Sequence, residues 1–179
     1  MASSTWGVLS WCRWALSETL ASFNRRSRGE AEQSLLECCG SQAWATAVAA
    51  GRPYADLPAL MEAADVVWAK LKPHDWLEAF TAHPRIGERG GRSPASSNRE
   101  QQAIMSAPRE VLGLMVEGNR LYEERFGHVF LISAAGRSAE DVLAALRERI
   151  GNDPKVELKV AAEEQRKITR LRLKSMLSS

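Results

Sequence analysis

Three histidines, His74, His83 and His128, are the side chains of this 179-residue sequence best suited to moving a proton near neutral pH. His83 stands directly before Pro84, and a polar run rich in Gly, Ser and Arg follows it. That run closes on "SSNREQ", which carries Ser97, Asn98, Arg99, Glu100 and Gln101, just as an apolar pattern resumes. A carboxylate beside His83 would orient the imidazole and favour its charged form. A proline next to it would hold the backbone stiffly, as proton transfer requires. Two readings of these residues stay open. Either His83 and Glu100 form a proton-transfer pair, or His83 ends a helix and Ser97-x-x-Glu100 is a capping box.

Arg172 is a second candidate. At helical spacing it shares a stripe with Ala161, Gln165 and Ile168 that faces the protein. An inward arginine needs an anionic or hydrogen-bonding partner. That partner could be a ligand or an internal carboxylate such as Glu157 or Glu163. The third option is that the side chain snorkels past the helix end to water.

Other chemistries find little support. There is no HExxH, GxSxG or GxGxxG, and "GERGGR" follows no strand and precedes no Lys-Ser/Thr pair. Cys12, Cys38 and Cys39 make neither a disulfide framework nor a zinc ladder, so no metal is expected and a reduced intracellular setting is the simplest inference. The net charge of +2 is too small to argue for nucleic acid. The most basic stretch, "RKITRLRLK", alternates with Ile and Leu as a solvated helix face does. No apolar run reaches the roughly 20 residues of a membrane span.

The elements that must position these residues are helices. With 45% hydrophobic and 26% charged residues, the chain has the composition of one globular domain. Helices are expected over "AEQSLLECCG" with a stop at Gly40, over "QAWATAVAAG" to Gly51, and over "LPALMEAADVVWAKL" with Leu60, Ala63, Ala64, Val67 and Leu71 on one side. A short one, "HDWLEAFTAH", should run into His83, and another begins at "REQQAIMSA". The helix after Pro108 should bury Val111, Leu114, Met115, Leu121 and Tyr122 and stop at Gly127. Ser138 with Asp141 caps the next helix, which ends at Gly151 and Asn152, and a last helix spans about 155–176. "HVFLISAAG" alone reads as extended and buried. The fold class is all-α, a single-domain helical bundle over residues 31–179. Residues 1–30 are read as an extension, in which Trp11, Trp14, Ala15 and Leu16 fit an amphipathic helix as well as a transit peptide.

Together, "WLEAFTAHPRIGE", "SSNREQ", "EGNRLYEERFGHVFLISAAG" and the closing "ITRLRL" resemble one family. It is the 2-oxo-4-hydroxy-4-carboxy-5-ureidoimidazoline (OHCU) decarboxylases of urate breakdown, and the likeness runs over about residues 35–175. The wording is most similar to the plant branch, where this domain is fused to a transthyretin-like hydroxyisourate hydrolase.

The resemblance implies an all-helical lyase that needs no cofactor and makes (S)-allantoin. It implies a homodimer that works in peroxisome or cytosol, functionally linked to hydroxyisourate hydrolase and urate oxidase, with neither nucleic acid nor membrane as partner. It marks His83 and Glu100 as catalytic. Pro84, Ser97, Asn98, Arg99 and Gln101 become substrate contacts, together with the backbone of Ile132, Ser133, Ala134, Ala135 and Gly136. Arg172 becomes the late arginine that holds the substrate, with Arg170 as its competitor in register.

Overall fold

The computed structural model describes residues 19–87 and 102–177. In order, the helices are α1 (Leu20–Arg25), α2 (Arg28–Cys38), α3 (Gln42–Ala50), α4 (Leu57–Lys70) and α5 (Pro73–Phe80). After these come α6 (Gln102–Met105), α7 (Arg109–Phe126), α8 (Ala139–Ile150) and α9 (Pro154–Leu177). Among the described residues there is no strand.

Local chemistry starts and stops these helices. Ser27 with Glu30 and Ser138 with Asp141 form capping boxes at α2 and α8. Ser41 and Asp56 cap α3 and α4 through their side-chain oxygens, with Pro58 in the first turn of α4. Gly127 ends α7 at φ 74°, a left-handed position that glycine adopts without a Cβ penalty. Gly40 acts differently from the helix stop expected of it. α2 ends at Cys38, and a Cβ on Gly40 would come within 2.5 Å of the Ala82 Cβ. It is a contact glycine, letting the α2–α3 corner touch the chain just before His83.

Two apolar clusters build the interior. The first gathers α1 to α5 and α9 around Phe23, Leu35, Trp44, Leu60, Trp68 and Leu173. The second gathers α7 and α8 around Met115, Tyr122, Phe130, Val142 and Leu146. The long α9 packs against α2, α4 and α5, and its stripe Ala161, Gln165, Ile168 and Arg172 is buried as its spacing predicts.

The α7 stripe needs correction. Met115, Gly118, Asn119 and Tyr122 face inward, whereas Leu114 and Leu121 are 47% and 42% exposed. The physical reason is Gly118. Leu146 of α8 lies where its Cβ would be, 2.6 Å away, so α8 seats on the glycine rather than on the leucines.

Residues 129–134 join the clusters. Val129 and Leu131 pack into the first, while Phe130, Ile132 and Ala134 pack into the second. This is the period of two that an extended chain imposes. With no neighbouring strand among the described residues, side chains take that place. Arg149 Nη1 donates to the Leu131 carbonyl at 2.8 Å, and the Ser133 N–H donates to Glu164 Oε2 at 2.8 Å. Behind them Glu157, fully buried, accepts from Arg149, Asn152 and Tyr122. Each polar group in that interior network finds a partner.

Candidate active site

α5 ends at Phe80, and a turn closed by the His83 N–H on the Phe80 carbonyl (3.1 Å) carries the chain to His83. Ala82 is clamped against Gly40 on one side of it. On the other side, Asn119 Nδ2 holds the Ile86 carbonyl at 2.9 Å, and Arg85 makes a two-pronged ion pair with Glu123 at 2.7 and 2.9 Å. The His-Pro-Arg-Ile segment is therefore held at both ends. His83 is partly open as a residue, but its Nε2 is sealed from solvent.

The side chains around His83 come from α9 and the end of α2. Gln165 is fully buried and Arg172 is buried beside it. Arg172 Nη1 points back to the Glu37 carbonyl at 3.4 Å. Thr169, buried one turn along α9, accepts from the Gln165 amide at 3.1 Å. Burial first, and the Arg172 guanidinium second, push the His83 pKa down to about 3, partly offset by hydrogen bonding to Gln165. The imidazole is thus neutral at physiological pH and sits next to a fixed positive charge. Burial also pushes the Cys39 thiol up to about 11, so it is inert as a nucleophile.

The other two histidines occupy different settings. His74 is exposed beside Asp75, and His128 stacks among Phe80, Tyr122 and Phe126.

Arg170 and Arg172 separate clearly. Arg170 reaches Asp65 on the α4 side, where Arg166 also pairs with it at 3.0 Å. Of the two, Arg172 is the arginine whose charge bears on His83. The carboxylates considered for it are engaged elsewhere, Glu157 by Arg149 and Glu163 by Arg166.

Pro84 follows His83 in the half-buried turn. Ile132 and Ala134 are buried, Ser133 is half-buried, and Ala135 and Gly136 are exposed. The Ser133 N–H is already committed to Glu164. Ser97, Asn98, Arg99, Glu100 and Gln101 lie outside the described residues.

Sequence reasoning had Gln165 on the right stripe without a role for it, and missed its partner Thr169. Buried polar residues opposite a histidine were the available signal.

Residues 24–174 match the family described as OHCU decarboxylase. The chain belongs to that family. Solved structures agree with that membership. A crystal structure of OHCU decarboxylase in the presence of (S)-allantoin is 36% identical, with a TM-score of 0.74 over 83% of this chain and 99% of that one. An (S)-allantoin synthase structure, 22% identical with a TM-score of 0.68, shares the fold.

Among curated proteins, the uric acid degradation bifunctional protein of Arabidopsis thaliana is 37% identical over 79% of this chain. This chain spans 45% of that protein's length. The OHCU decarboxylase of Amia calva is 34% identical over 74% of this chain and 79% of its own. Among the described residues no helix is long and apolar enough to cross a membrane.

Proposed function

We propose that this chain decarboxylates OHCU to (S)-allantoin in urate degradation, with His83 moving the proton. The observation that carries the reading is a neutral, buried imidazole beside the buried cation Arg172, inside a member of this decarboxylase family. An acid substrate complements such a site: its carboxylate is drawn to Arg172, and its hydroxyl has an unprotonated base to meet.

The name of the substrate describes its electron sink. An imidazoline ring keeps one C=N bond, next to the carbon that bears both hydroxyl and carboxylate. When the C–C bond to the carboxylate breaks, CO2 leaves. The electron pair forms a ring C=C bond, and the former C=N pair moves to nitrogen, which takes a proton. The enol then loses its hydroxyl proton and the neighbouring carbon gains one, giving the ketone of allantoin. In sum, carboxylate plus one proton yields CO2 plus allantoin. The protein orients the acid and shuttles protons, and delivery to one face gives one enantiomer.

In this proposal His83 takes the hydroxyl proton and Glu100 assists it. Arg172, Pro84, Ser97, Asn98, Arg99 and Gln101 hold the substrate, with the backbone of Ile132, Ser133, Ala134, Ala135 and Gly136. In sequence, residues 97–101 directly precede α6, which begins at Gln102. A homodimer and peroxisomal residence belong to the same proposal. Leu114 and Leu121, two turns apart on α7 and exposed, support a protein-covered surface there.

The test generates OHCU in place from urate with urate oxidase and hydroxyisourate hydrolase, and follows circular dichroism. Fast growth of the (S)-allantoin signal with this protein, lost by about 100-fold or more in His83→Asn, is expected. A signal no faster than the uncatalysed one from folded protein would overturn the reading.

A further inference from the structure

Residues 85–87, which follow His83 and Pro84, lie along one face of α7, and their contacts run in order down that helix. Arg85 meets Glu123 through two hydrogen bonds, Nε to Oε1 at 2.7 Å and Nη2 to Oε2 at 2.9 Å. One turn earlier on α7, Asn119 Nδ2 donates to the Ile86 carbonyl at 2.9 Å. Gly87, at φ 83°, faces Met115 and Leu112, one and two turns earlier still. A Cβ built on it would lie 3.9 Å from the Met115 sulfur and 3.9 Å from Leu112 Cδ2. Positions 112, 115, 119 and 123 are three or four residues apart, so one stripe of α7 carries these contacts.

Neither polar contact is what stability alone would select. Asn119 is buried, and its Oδ1 has no hydrogen-bond partner among the described residues. A buried carbonyl left unpaired is penalised, and the bond from the same amide to Ile86 is what offsets it. The Arg85–Glu123 pair is partly exposed, and ion pairs in such places add little to stability. A two-pronged pair does supply direction, because it fixes the guanidinium plane and so the course of the chain that bears it.

We propose that Glu123 and Asn119 are positioning residues for His83, gripping the chain two and three residues after it so that the imidazole keeps one place. The inference rests on the reading of His83 as the proton-moving group. Upstream, the His83 N–H is bonded to the Phe80 carbonyl at 3.1 Å, and Ala82 sits against Gly40. Downstream, only Pro84 stands between His83 and the grip of α7, and its ring fixes φ. A shift of the α7 anchor is therefore passed to His83 rather than absorbed by slack in the chain. Misplacement of a reacting group by about 1 Å costs about 100-fold in rate.

The test compares two ion pairs on the same helix. Glu123→Ala should lower kcat about 10-fold, with KM changed less than about threefold and the melting temperature nearly unchanged. Glu117→Gln, which breaks the pair that Arg120 makes within α7, should keep wild-type kcat. Glu123→Arg should be worse than Glu123→Ala, and adding Arg85→Glu should restore most of the lost kcat by reversing the pair. Asn119→Leu should lower kcat in the same way. Amide hydrogen exchange gives a readout free of substrate. The His83 N–H should exchange about 10-fold faster in Glu123→Ala and at the wild-type rate in Glu117→Gln. Wild-type kcat or wild-type exchange at His83 in Glu123→Ala would overturn the proposal. So would a charge-reversed pair no more active than Glu123→Arg alone. A wild-type protein inactive on OHCU would instead remove the decarboxylase reading, and the exchange rates would still decide whether α7 holds His83.

Discussion

Glu164 reaches across from α9 to accept the backbone N–H of Ser133 at 2.8 Å, and its other oxygen is held by Lys167 at 2.6 Å. Gln165, the next residue, faces His83. Neighbouring positions on one helix turn therefore control two different parts of the candidate site: the segment from Ile132 to Gly136 and the imidazole. Glu164→Ala should loosen the segment, raising KM or lowering kcat about 10-fold, at a cost of about 1–3 kcal/mol in stability. Glu164→Gln keeps an acceptor for Ser133 and should recover most of the activity. Steady-state kinetics beside urea titration checks both, and equal activity losses in the two variants would contradict the role given to the hydrogen bond.

The pH dependence of folding has a definite sign. Burial and Arg172 hold His83 near pKa 3, below its ordinary value of 6.5. Between these values the unfolded chain binds a proton that the folded chain refuses. The stability from burying neutral imidazole is thus fully present above about pH 6.5 and is lost as pH falls toward 3. Relative to His83→Asn, the wild type should lose about 2 kcal/mol between pH 7 and pH 5, at about 1.4 kcal/mol per pH unit. Replacing Arg172 with Met should raise the His83 pKa and narrow that window. Parallel slopes for wild type and His83→Asn would count against the burial argument.

Gly40→Ala should injure the site from behind. The added Cβ would meet the Ala82 Cβ at 2.5 Å and the Ala79 carbonyl at 3.3 Å, and neither can swing aside. A loss of about 1–3 kcal/mol is expected, the usual cost of overpacking. Turnover should fall further than the stability change explains, since Ala82 directly precedes His83. Activity measured well below the melting temperature separates the two effects.

Gly118→Ala provides a contrast at the contact between α7 and α8. Its Cβ would strike Leu146, the flexible end of a side chain, at 2.6 Å. Destabilisation of about 1–3 kcal/mol with nearly normal kcat is expected. Adding Leu146→Val should restore part of the stability, a non-additivity that neighbouring side chains show in a double-mutant cycle.

Breaking the buried pair of Arg149 and Glu157 should be the most damaging change. Its members are joined at 2.6 Å with Glu157 fully buried. Glu157→Gln or Arg149→Met leaves the other charge inside and should cost about 3–5 kcal/mol. Thermal unfolding reads this directly, and a change below 1 kcal/mol would show the network to be dispensable.

Much of this arrangement was legible in the sequence because helix signals are local. Ser138 with Asp141, Gly127 after Phe126, and the stripe through Gln165 and Arg172 follow from spacing alone. Leu114 and Leu121 misled, because apolar type does not say which of two adjacent faces meets a neighbour. That is decided by Gly118 accepting Leu146 from another helix. The extended run 129–134 was recognisable by composition, but its partners were not, since Arg149 and Glu164 reach it from distant positions. The contact of Arg172 with the Glu37 carbonyl was hidden for the same reason: it joins residues 135 positions apart.

The dependence of the site on α9 has a consequence for biosynthesis. His83 leaves the ribosome long before Gln165, Thr169 and Arg172, which arrive with α9. Until then the faces of α2 and α5 that α9 will cover, and His83 just beyond α5, stay uncovered. Assembly of the candidate catalytic centre therefore waits until α9 has been made, and a chaperone that shelters the α2–α5 face would act before the centre exists.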